Sequence, residues 1–132
     1  MKAQCQCGQL TVEISGSSDA IVACHCTDCQ CRTGSPFGVL AYYPESQLRI
    51  SGTATCYDRP AASGARFRSY FCPRCGASVY AQTDKHPAKF GIAVGAMTDP
   101  DFPPPARSVW EQPQHCWVKI PGNTPHFPRG RS

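Results

Sequence analysis

Four cysteines lie at every second or third position in the segment CHCTDCQC. Cys24, Cys26 and Cys29 have the short spacing of metal ligands, and thiolate sulfur is a preferred ligand of zinc in proteins. Three protein ligands leave one coordination position open, as in catalytic zinc sites, whereas four ligands are typical of structural sites. Cys31 is close enough in sequence to supply a fourth ligand. The segment therefore predicts a zinc site, which is closed if a fourth residue such as Cys31 ligates the metal and open if none does.

The fourth position of this site has several candidate occupants within the chain. They are Cys31, His25, Cys56 and Cys116. If the segment is helical, Cys31 points about 200° away from Cys29 around the helix axis, so it is expected to face away from the metal. Zinc with three thiolate ligands is a poor Lewis acid for activating water, but it can hold an incoming thiol as a nucleophilic thiolate. An open site thus predicts thiol chemistry rather than hydrolysis.

Two further segments carry pairs of cysteines with ligand spacing. CQCG contains Cys5 and Cys7, and FCPRCG contains Cys72 and Cys75. Each segment ends in glycine, which permits the backbone to bend sharply at a zinc knuckle. These four cysteines predict a closed structural zinc site, so that the chain is expected to bind two zinc ions.

The overall composition favours metal binding over disulfide bonds. A length of 132 residues with 41% hydrophobic residues predicts one globular domain over residues 1–132. The segment MKAQCQCGQL lacks the apolar core of a signal peptide, and no stretch approaches the roughly 18 apolar residues of a membrane helix. We therefore expect a cytoplasmic location, where thiols stay reduced. The net charge of +4 includes no long run of Lys and Arg, so nucleic-acid binding is not indicated.

Short strands must position most of these cysteines, because 13 prolines and 11 glycines leave little room for long helices. Predicted strands occupy residues 10–14, 37–43, 48–50, 54–58, 66–71, 77–81 and 90–94, with two more at 109–111 and 116–120. One helical turn is predicted within the first cysteine segment, with Thr27 as N-cap, Gln30 in a capping box and Gly34 at its end. The chain from about residue 122 is expected to be irregular. The sequence thus predicts a mainly β fold with one short helical turn.

The order of these motifs resembles the glutathione-dependent formaldehyde-activating enzyme family, which includes centromere protein V. CQCG, CHCTDCQCRTGSPF and FCPRCG are followed by VGAMTDPDF and WVKIPGNTPHF, so the resemblance covers nearly the whole chain. It implies a β-tent fold, similar to the zinc-binding chaperones of Rab proteins, with two zinc ions. Carried over by motif, the structural ligands are Cys5, Cys7, Cys72 and Cys75, and the catalytic ligands are Cys24, Cys26 and Cys29.

The resemblance also implies an activity. The family joins formaldehyde to glutathione to give S-hydroxymethylglutathione, a carbon–sulfur bond-forming reaction classed with the lyases. The implied partners are a small thiol such as glutathione, bound at the open zinc position, and a small electrophile, with no membrane or nucleic acid involved. The sequence indicates no oligomeric state.

The chain departs from the family pattern near the second zinc. Relatives often carry a basic residue where this chain has Cys31, and a His-like position is here Ser108. Arg32 could replace the missing charge, although a solvated turn position is the simpler expectation for it. His25 lies between two ligands and is expected at the surface, pointing away from the metal.

Two other functions fit the cysteine pattern. A non-catalytic zinc-binding module for protein or nucleic acid would have two structural sites, the second closed by Cys31. A redox or metal-storing protein would pair Cys31 reversibly with Cys29 or Cys24. We favour a zinc-dependent enzyme acting on thiol adducts, because three ligands leave a position for the substrate thiol.

Overall fold

The chain forms two β-sheets in a computed structural model, which describes residues 1–18, 20–61 and 63–130. The strands are β1 (Lys2–Gln4), β2 (Thr11–Ile14), β3 (Ala20–Cys24), β4 (Gly38–Pro44), β5 (Leu48–Ser51), β6 (Thr55–Pro60), β7 (Arg66–Phe71), β8 (Ser78–Thr83), β9 (Lys89–Ala93) and β10 (Arg107–Val109). One α-helix, α1, covers Thr27–Thr33, and two 3-10 turns cover Glu45–Gln47 and Val94–Met97. These elements confirm the predicted mainly β fold with a short helix between its cysteines.

The two sheets pack their inner faces together to form the core. The smaller sheet has the order β1-β2-β5, and the larger one has the order β10-β3-β4-β9-β8-β7-β6. In β2, Val12 and Ile14 are buried while Glu13 is exposed, as the alternating pattern predicts. Their partners in the core include Ile21, Ala41, Tyr43, Val79 and Ile92 of the larger sheet. One face of the larger sheet therefore packs against the smaller sheet and forms the core with it.

The opposite face of the larger sheet has glycines at two positions near the cysteines. Directly paired residues of neighbouring strands share a face, so Cys24 of β3 lies on the same side as Gly38 of β4. Gly91 of β9 pairs with Tyr42 of β4 on this side. Because glycine has no side chain, the sheet is thin at these two positions. This face is left for the candidate site.

Most of the predicted strands are confirmed, with bounds that move by one or two residues. β1 and β3 have no counterpart among the predictions. The predicted strand at 116–120 is wrong, because this stretch turns: the Val118 N–H donates to the His115 carbonyl at 3.0 Å. No helix in the described part of the chain is long and apolar enough to cross a membrane.

The ends of α1 agree with the sequence pattern in part. Gly34 ends the helix in the left-handed conformation with φ 65°, as predicted. The N-cap is Cys26 and not Thr27, because the Cys26 sulfur accepts a hydrogen bond from the Cys29 N–H at 3.3 Å. The helix thus begins at Cys26, whose sulfur points towards the backbone of Cys29.

Candidate metal centres

The structure brings Cys5, Cys7, Cys72 and Cys75 together in one group, with all four sulfurs within 4.8 Å of one another. The Cys5 and Cys7 sulfurs are 3.6 Å apart, and those of Cys7 and Cys72 are 3.7 Å apart. Four sulfurs around a tetrahedral zinc, each at about 2.3 Å from the metal, are separated by about 3.8 Å. The group therefore has the dimensions of a closed metal site.

Local hydrogen bonds shape this first group. After β7 the backbone turns back at Gly76, whose φ is 79° and whose N–H donates to the Cys72 carbonyl at 2.8 Å. The Cys72 sulfur accepts a hydrogen bond from the Gln9 amide at 2.9 Å. Burial acts to raise the pKa of Cys72, but the hydrogen bonds from Gln9 and from backbone N–H groups outweigh it and lower the pKa to about 6. Cys72 is thus prepared to ligate a metal as a thiolate.

The second group consists of Cys24, Cys26 and Cys29, whose sulfurs also lie within 4.8 Å of one another. Cys24 ends β3, and Cys26 and Cys29 lie at the start of α1, so a single strand-to-helix turn positions all three. The Cys24 and Cys26 sulfurs are 3.4 Å apart. Hydrogen bonds from Cys24 and Cys26, followed by the charge of Arg32, lower the pKa of Cys29 to about 3 against the effect of burial. This group offers three soft ligands, one of which ionises readily.

No fourth ligand joins the second group within the described ranges of the chain. Cys31 is exposed on α1, as helix geometry predicts for a residue two positions after Cys29. Cys56 and Cys116 are exposed elsewhere on the molecule. The geometry is therefore that of an open three-ligand site.

His25 is not at the surface, so that expectation is wrong. Its side chain is fully buried, and its Nε2 lies 2.8 Å from the hydroxyl of Ser108 on β10. The ring also lies 5.3 Å from that of Phe37. Burial lowers the pKa of His25. The contact ties the turn that carries Cys24 and Cys26 to the neighbouring strand and gives the buried Ser108 hydroxyl a hydrogen-bond partner.

Arg32 is not a solvated turn residue either. It is half-buried and hydrogen-bonds Cys29. A Cβ on Gly38 would lie 2.7 Å from the Arg32 Nη2, so the absence of a side chain at Gly38 leaves the space for this guanidinium. Arg32 therefore places a positive charge beside the second group, on the residue next to Cys31.

Arg66 and Arg68, by contrast, form ion pairs at the surface. Arg66 of β7 pairs with Asp58 of β6 at 2.9 Å, and Arg68 of β7 pairs with Asp84, directly after β8, at 2.8 Å. Surface ion pairs of this kind contribute little to stability. These two arginines are engaged away from the cysteines.

A cavity of about 740 Å³ opens beside the second group, on the face of the large sheet that does not form the core. Apolar and aromatic side chains from four strands form its floor, namely Val22, Leu40, Tyr42, Phe67 and Val109. Its charged lining residues are Asp28, Arg32, Arg59, Lys85 and Arg107. Basic groups outnumber acidic ones four to one, so the cavity favours a negatively charged occupant.

Arg59 is a cation of the cavity lining that two contacts hold in place. Its guanidinium lies 4.6 Å from the centroid of the Phe67 ring. It also pairs with Asp28 of α1 at 3.2 Å, with 15% of the Arg59 side chain exposed. Only the strand order of the folded sheet brings Arg59 here, which is why the sequence pattern does not identify it.

The fold and the two cysteine groups define a mainly β, thiol-rich protein that could hold two metal ions, one of them beside a cationic cavity. A profile of the family described as glutathione-dependent formaldehyde-activating enzyme matches residues 1–113. The chain belongs to this family, which confirms the resemblance seen in its motifs.

One named relative supports the same relationship, and one solved structure has a similar fold. A relative from Emericella nidulans, whose name assigns it provisionally to the glutathione-dependent formaldehyde-activating enzymes, is 32% identical over 94 residues. This alignment covers 67% of the chain but 46% of the relative, so the chain spans about half the length of that protein. A crystal structure of a Rhodobacter sphaeroides protein is similar with a TM-score of 0.58 and 26% identity, covering 73% of this chain and 86% of the other.

Proposed function

We propose that this chain is a zinc-dependent enzyme of the carbon–sulfur lyase type that joins a thiol such as glutathione to formaldehyde, giving S-hydroxymethylglutathione. The observation that carries the proposal is the group of three cysteines that opens into a cationic cavity. The family description, which names glutathione and formaldehyde, supports the choice of substrates. A cytoplasmic location, where glutathione is available and thiols stay reduced, belongs to the same proposal.

Zinc fits both groups of cysteines. Their sulfur separations agree with tetrahedral thiolate coordination, and thiolates favour zinc over hard cations such as magnesium. The structural ligands would be Cys5, Cys7, Cys72 and Cys75, and the catalytic ligands would be Cys24, Cys26 and Cys29. When bound at the three-cysteine group, zinc would supply a position at which a substrate thiol is held as thiolate.

The residues of the cavity have separate roles in this proposal. Arg32 offsets the negative charge that three thiolates give to the metal site. Arg59 and Lys85 line the cavity and attract the carboxylates of the thiol. The apolar floor limits water around the reacting sulfur, which keeps the electrostatic interactions strong. The thiolate then attacks the carbonyl carbon of formaldehyde.

The alternative of a non-catalytic module with two structural zinc sites has less support. It needs a fourth ligand at the second group, and Cys31, the nearest candidate in sequence, is exposed outside that group. It also gives no role to a cavity lined by the three cysteines and four basic residues. We therefore retain the enzyme as the proposed function.

The charge of the cavity predicts discrimination between glutathione and its diethyl ester. The zinc-loaded protein should accelerate adduct formation from formaldehyde above the uncatalysed rate, as followed by exchange NMR. Its kcat/KM should be about tenfold lower for the ester, because the ester lacks the carboxylates that pair with arginine. Equal catalysed and uncatalysed rates with both thiols would overturn the proposed function.

A matched pair of arginine variants assigns this preference to the cavity. Arg59→Gln should reduce the difference between glutathione and the ester. Arg49→Gln is the control, because Arg49 is an exposed residue of β5 on the other sheet. If both variants keep the full difference, Arg59 does not recognise the carboxylates.

Gly38→Ala should weaken zinc binding at the second group about tenfold. The added methyl group would meet the Arg32 Nη2 at 2.7 Å and displace the guanidinium from the cysteines. Loss of such a supporting charge commonly lowers metal affinity by about 10- to 100-fold. Competition with a chelator measures the affinity, and Gly95→Ala is the control, since a Cβ there meets nothing within 4 Å. Equal affinities in the two variants would contradict the role given to Arg32.

A further inference from the structure

Tyr42 lines the cavity on the face of the large sheet that carries Cys24. In β4 it lies on the same face as Leu40 and Gly38, and Gly38 pairs with Cys24. Tyr42 lines the cavity together with Cys24 and Cys29. The following residue, Tyr43, lies on the opposite face of the strand and belongs to the core. The two adjacent tyrosines thus lie on opposite faces of the sheet, one in the cavity lining and the other in the core.

The ring of Tyr42 is held in a fixed position. A Cβ on Gly91 of the neighbouring strand would lie 3.1 Å from two of its ring carbons, so the ring packs directly on the backbone of β9. The ring of His86 contacts it edge-on, with centroids 6.0 Å apart. The backbone carbonyl of Tyr42 accepts a hydrogen bond from the Ser18 hydroxyl at 2.6 Å. Packing on both sides gives the phenol little freedom to reorient.

The hydroxyl group of Tyr42 has no hydrogen-bond partner among residues 1–18, 20–61 and 63–130. Burial, followed by the negative charge of Cys29 and Cys24, raises the pKa of this hydroxyl to about 12. A tyrosine hydroxyl with an ordinary pKa of about 10 is already a protonated donor at neutral pH. A fixed donor without a partner in the described part of the chain, in a cavity beside three cysteines, is suited to a ligand oxygen.

We propose that the Tyr42 hydroxyl donates a hydrogen bond to the oxygen of the aldehyde while the thiolate attacks its carbon. The inference rests on the proposed function, to which it adds a catalytic residue. The family profile and the relatives' names do not assign this role to any residue. A donor aimed at an oxygen that becomes negative stabilises the transition state more than the ground state.

The reaction step balances without any oxidant or reductant. The thiol loses its proton to solvent when it binds as thiolate, and a sulfur lone pair then forms the new bond to the carbonyl carbon. The π bond between carbon and oxygen breaks, and its electron pair moves to the oxygen. The Tyr42 O–H holds this oxyanion by a hydrogen bond until water supplies a proton. The product is the hydroxymethyl thioether.

Two cationic donors of the cavity lining have partners within the protein. Arg32 hydrogen-bonds the Cys29 sulfur, and Arg59 pairs with Asp28. Tyr42 therefore combines proximity to the cysteines with an available hydroxyl, which makes it the strongest candidate for contact with the aldehyde oxygen.

The test compares Tyr42→Phe with Tyr43→Phe in zinc-loaded protein. Tyr42→Phe keeps the ring packed on Gly91 but removes the donor, so kcat for adduct formation should fall about a hundredfold. The Kd for glutathione, measured by calorimetry, should stay within about twofold of the wild-type value because the thiol does not use this donor. Tyr43→Phe removes a hydroxyl from the opposite face and should leave kcat unchanged.

A binding measurement gives a second readout that does not depend on turnover. Thioglycolate places a negative oxygen near the thiol sulfur, whereas ethanethiol has no oxygen. Tyr42→Phe should lower the affinity for thioglycolate about tenfold relative to ethanethiol, and Tyr43→Phe should leave the ratio unchanged.

The outcomes separate the inference from the function on which it rests. If the wild-type protein accelerates the reaction and Tyr42→Phe keeps both its kcat and its thioglycolate preference, the inference is wrong while the function stands. If the wild-type protein neither binds glutathione nor exceeds the uncatalysed rate, the proposed function itself fails. A large loss of kcat in Tyr43→Phe as well would show a general effect of the sheet, and would also overturn the role of Tyr42.

Discussion

Cys29→Ser should reduce adduct formation to the uncatalysed rate and lower the zinc content from about two ions per chain to about one. Cys29 is buried in the first turn of α1, and its pKa of about 3 makes it the most readily ionised member of the second group. A serine hydroxyl is not ionised at neutral pH and is a poor ligand for zinc, so two thiolates would remain. Metal analysis and exchange NMR on the same preparation measure both effects.

Cys31→Ser is the matched control, two residues further along the same helix. Cys31 is exposed and outside the group of close sulfurs, so this variant should keep both zinc ions and the full rate. The opposite result, with zinc lost from Cys31→Ser and retained in Cys29→Ser, would mean that Cys31 is the ligand. A redox role for Cys31 also predicts loss of function in this variant, and so the same comparison tests it.

The two cysteine groups were predictable because each depends on short local segments. A separation of one or two residues between cysteines fixes where the sulfurs can go, whatever the rest of the chain does. The orientation of Cys31 followed from the geometry of one helical turn. The association of Cys5 and Cys7 with Cys72 and Cys75 needed one further idea, that two incomplete sites join to give four ligands. Local geometry and ligand number together sufficed for both groups.

The surroundings of the second group were not predictable in the same way, because they depend on contacts between distant segments. Ser108, whose hydroxyl lies within hydrogen-bond distance of His25, is 83 residues further along the chain and reaches it through the parallel pairing of β10 with β3. The position of Arg32 depends on the absence of a side chain at Gly38. Arg59 lines the cavity only because β6 is placed at the end of the large sheet.

The same register explains why the adjacent tyrosines could not be assigned from the sequence. The segment FGVLAYY is apolar on both faces, so alternation does not show which tyrosine belongs to the core. The pairing of Tyr42 with Gly91 settles the question, because a glycine partner leaves room for a ring on that face. A small residue in one strand and a large residue in the neighbouring strand thus show which face a side chain occupies only when the register of the two strands is known.

Cys72→Ser should have the largest effect on stability, with loss of cooperative thermal unfolding or a strongly lowered Tm. Cys72 is fully buried in the core and joins the β7–β8 turn to the segment that carries Cys5. Zinc binding at a four-thiolate site contributes about 10–16 kcal/mol to small zinc domains, which is comparable with the whole stability of a typical protein. Circular dichroism during heating, together with zinc analysis, measures the effect. The control is Cys56→Ser, an exposed position on β6, which should leave the Tm and the zinc content unchanged. A Cys72→Ser protein with a normal Tm and two zinc ions would rule out the structural site.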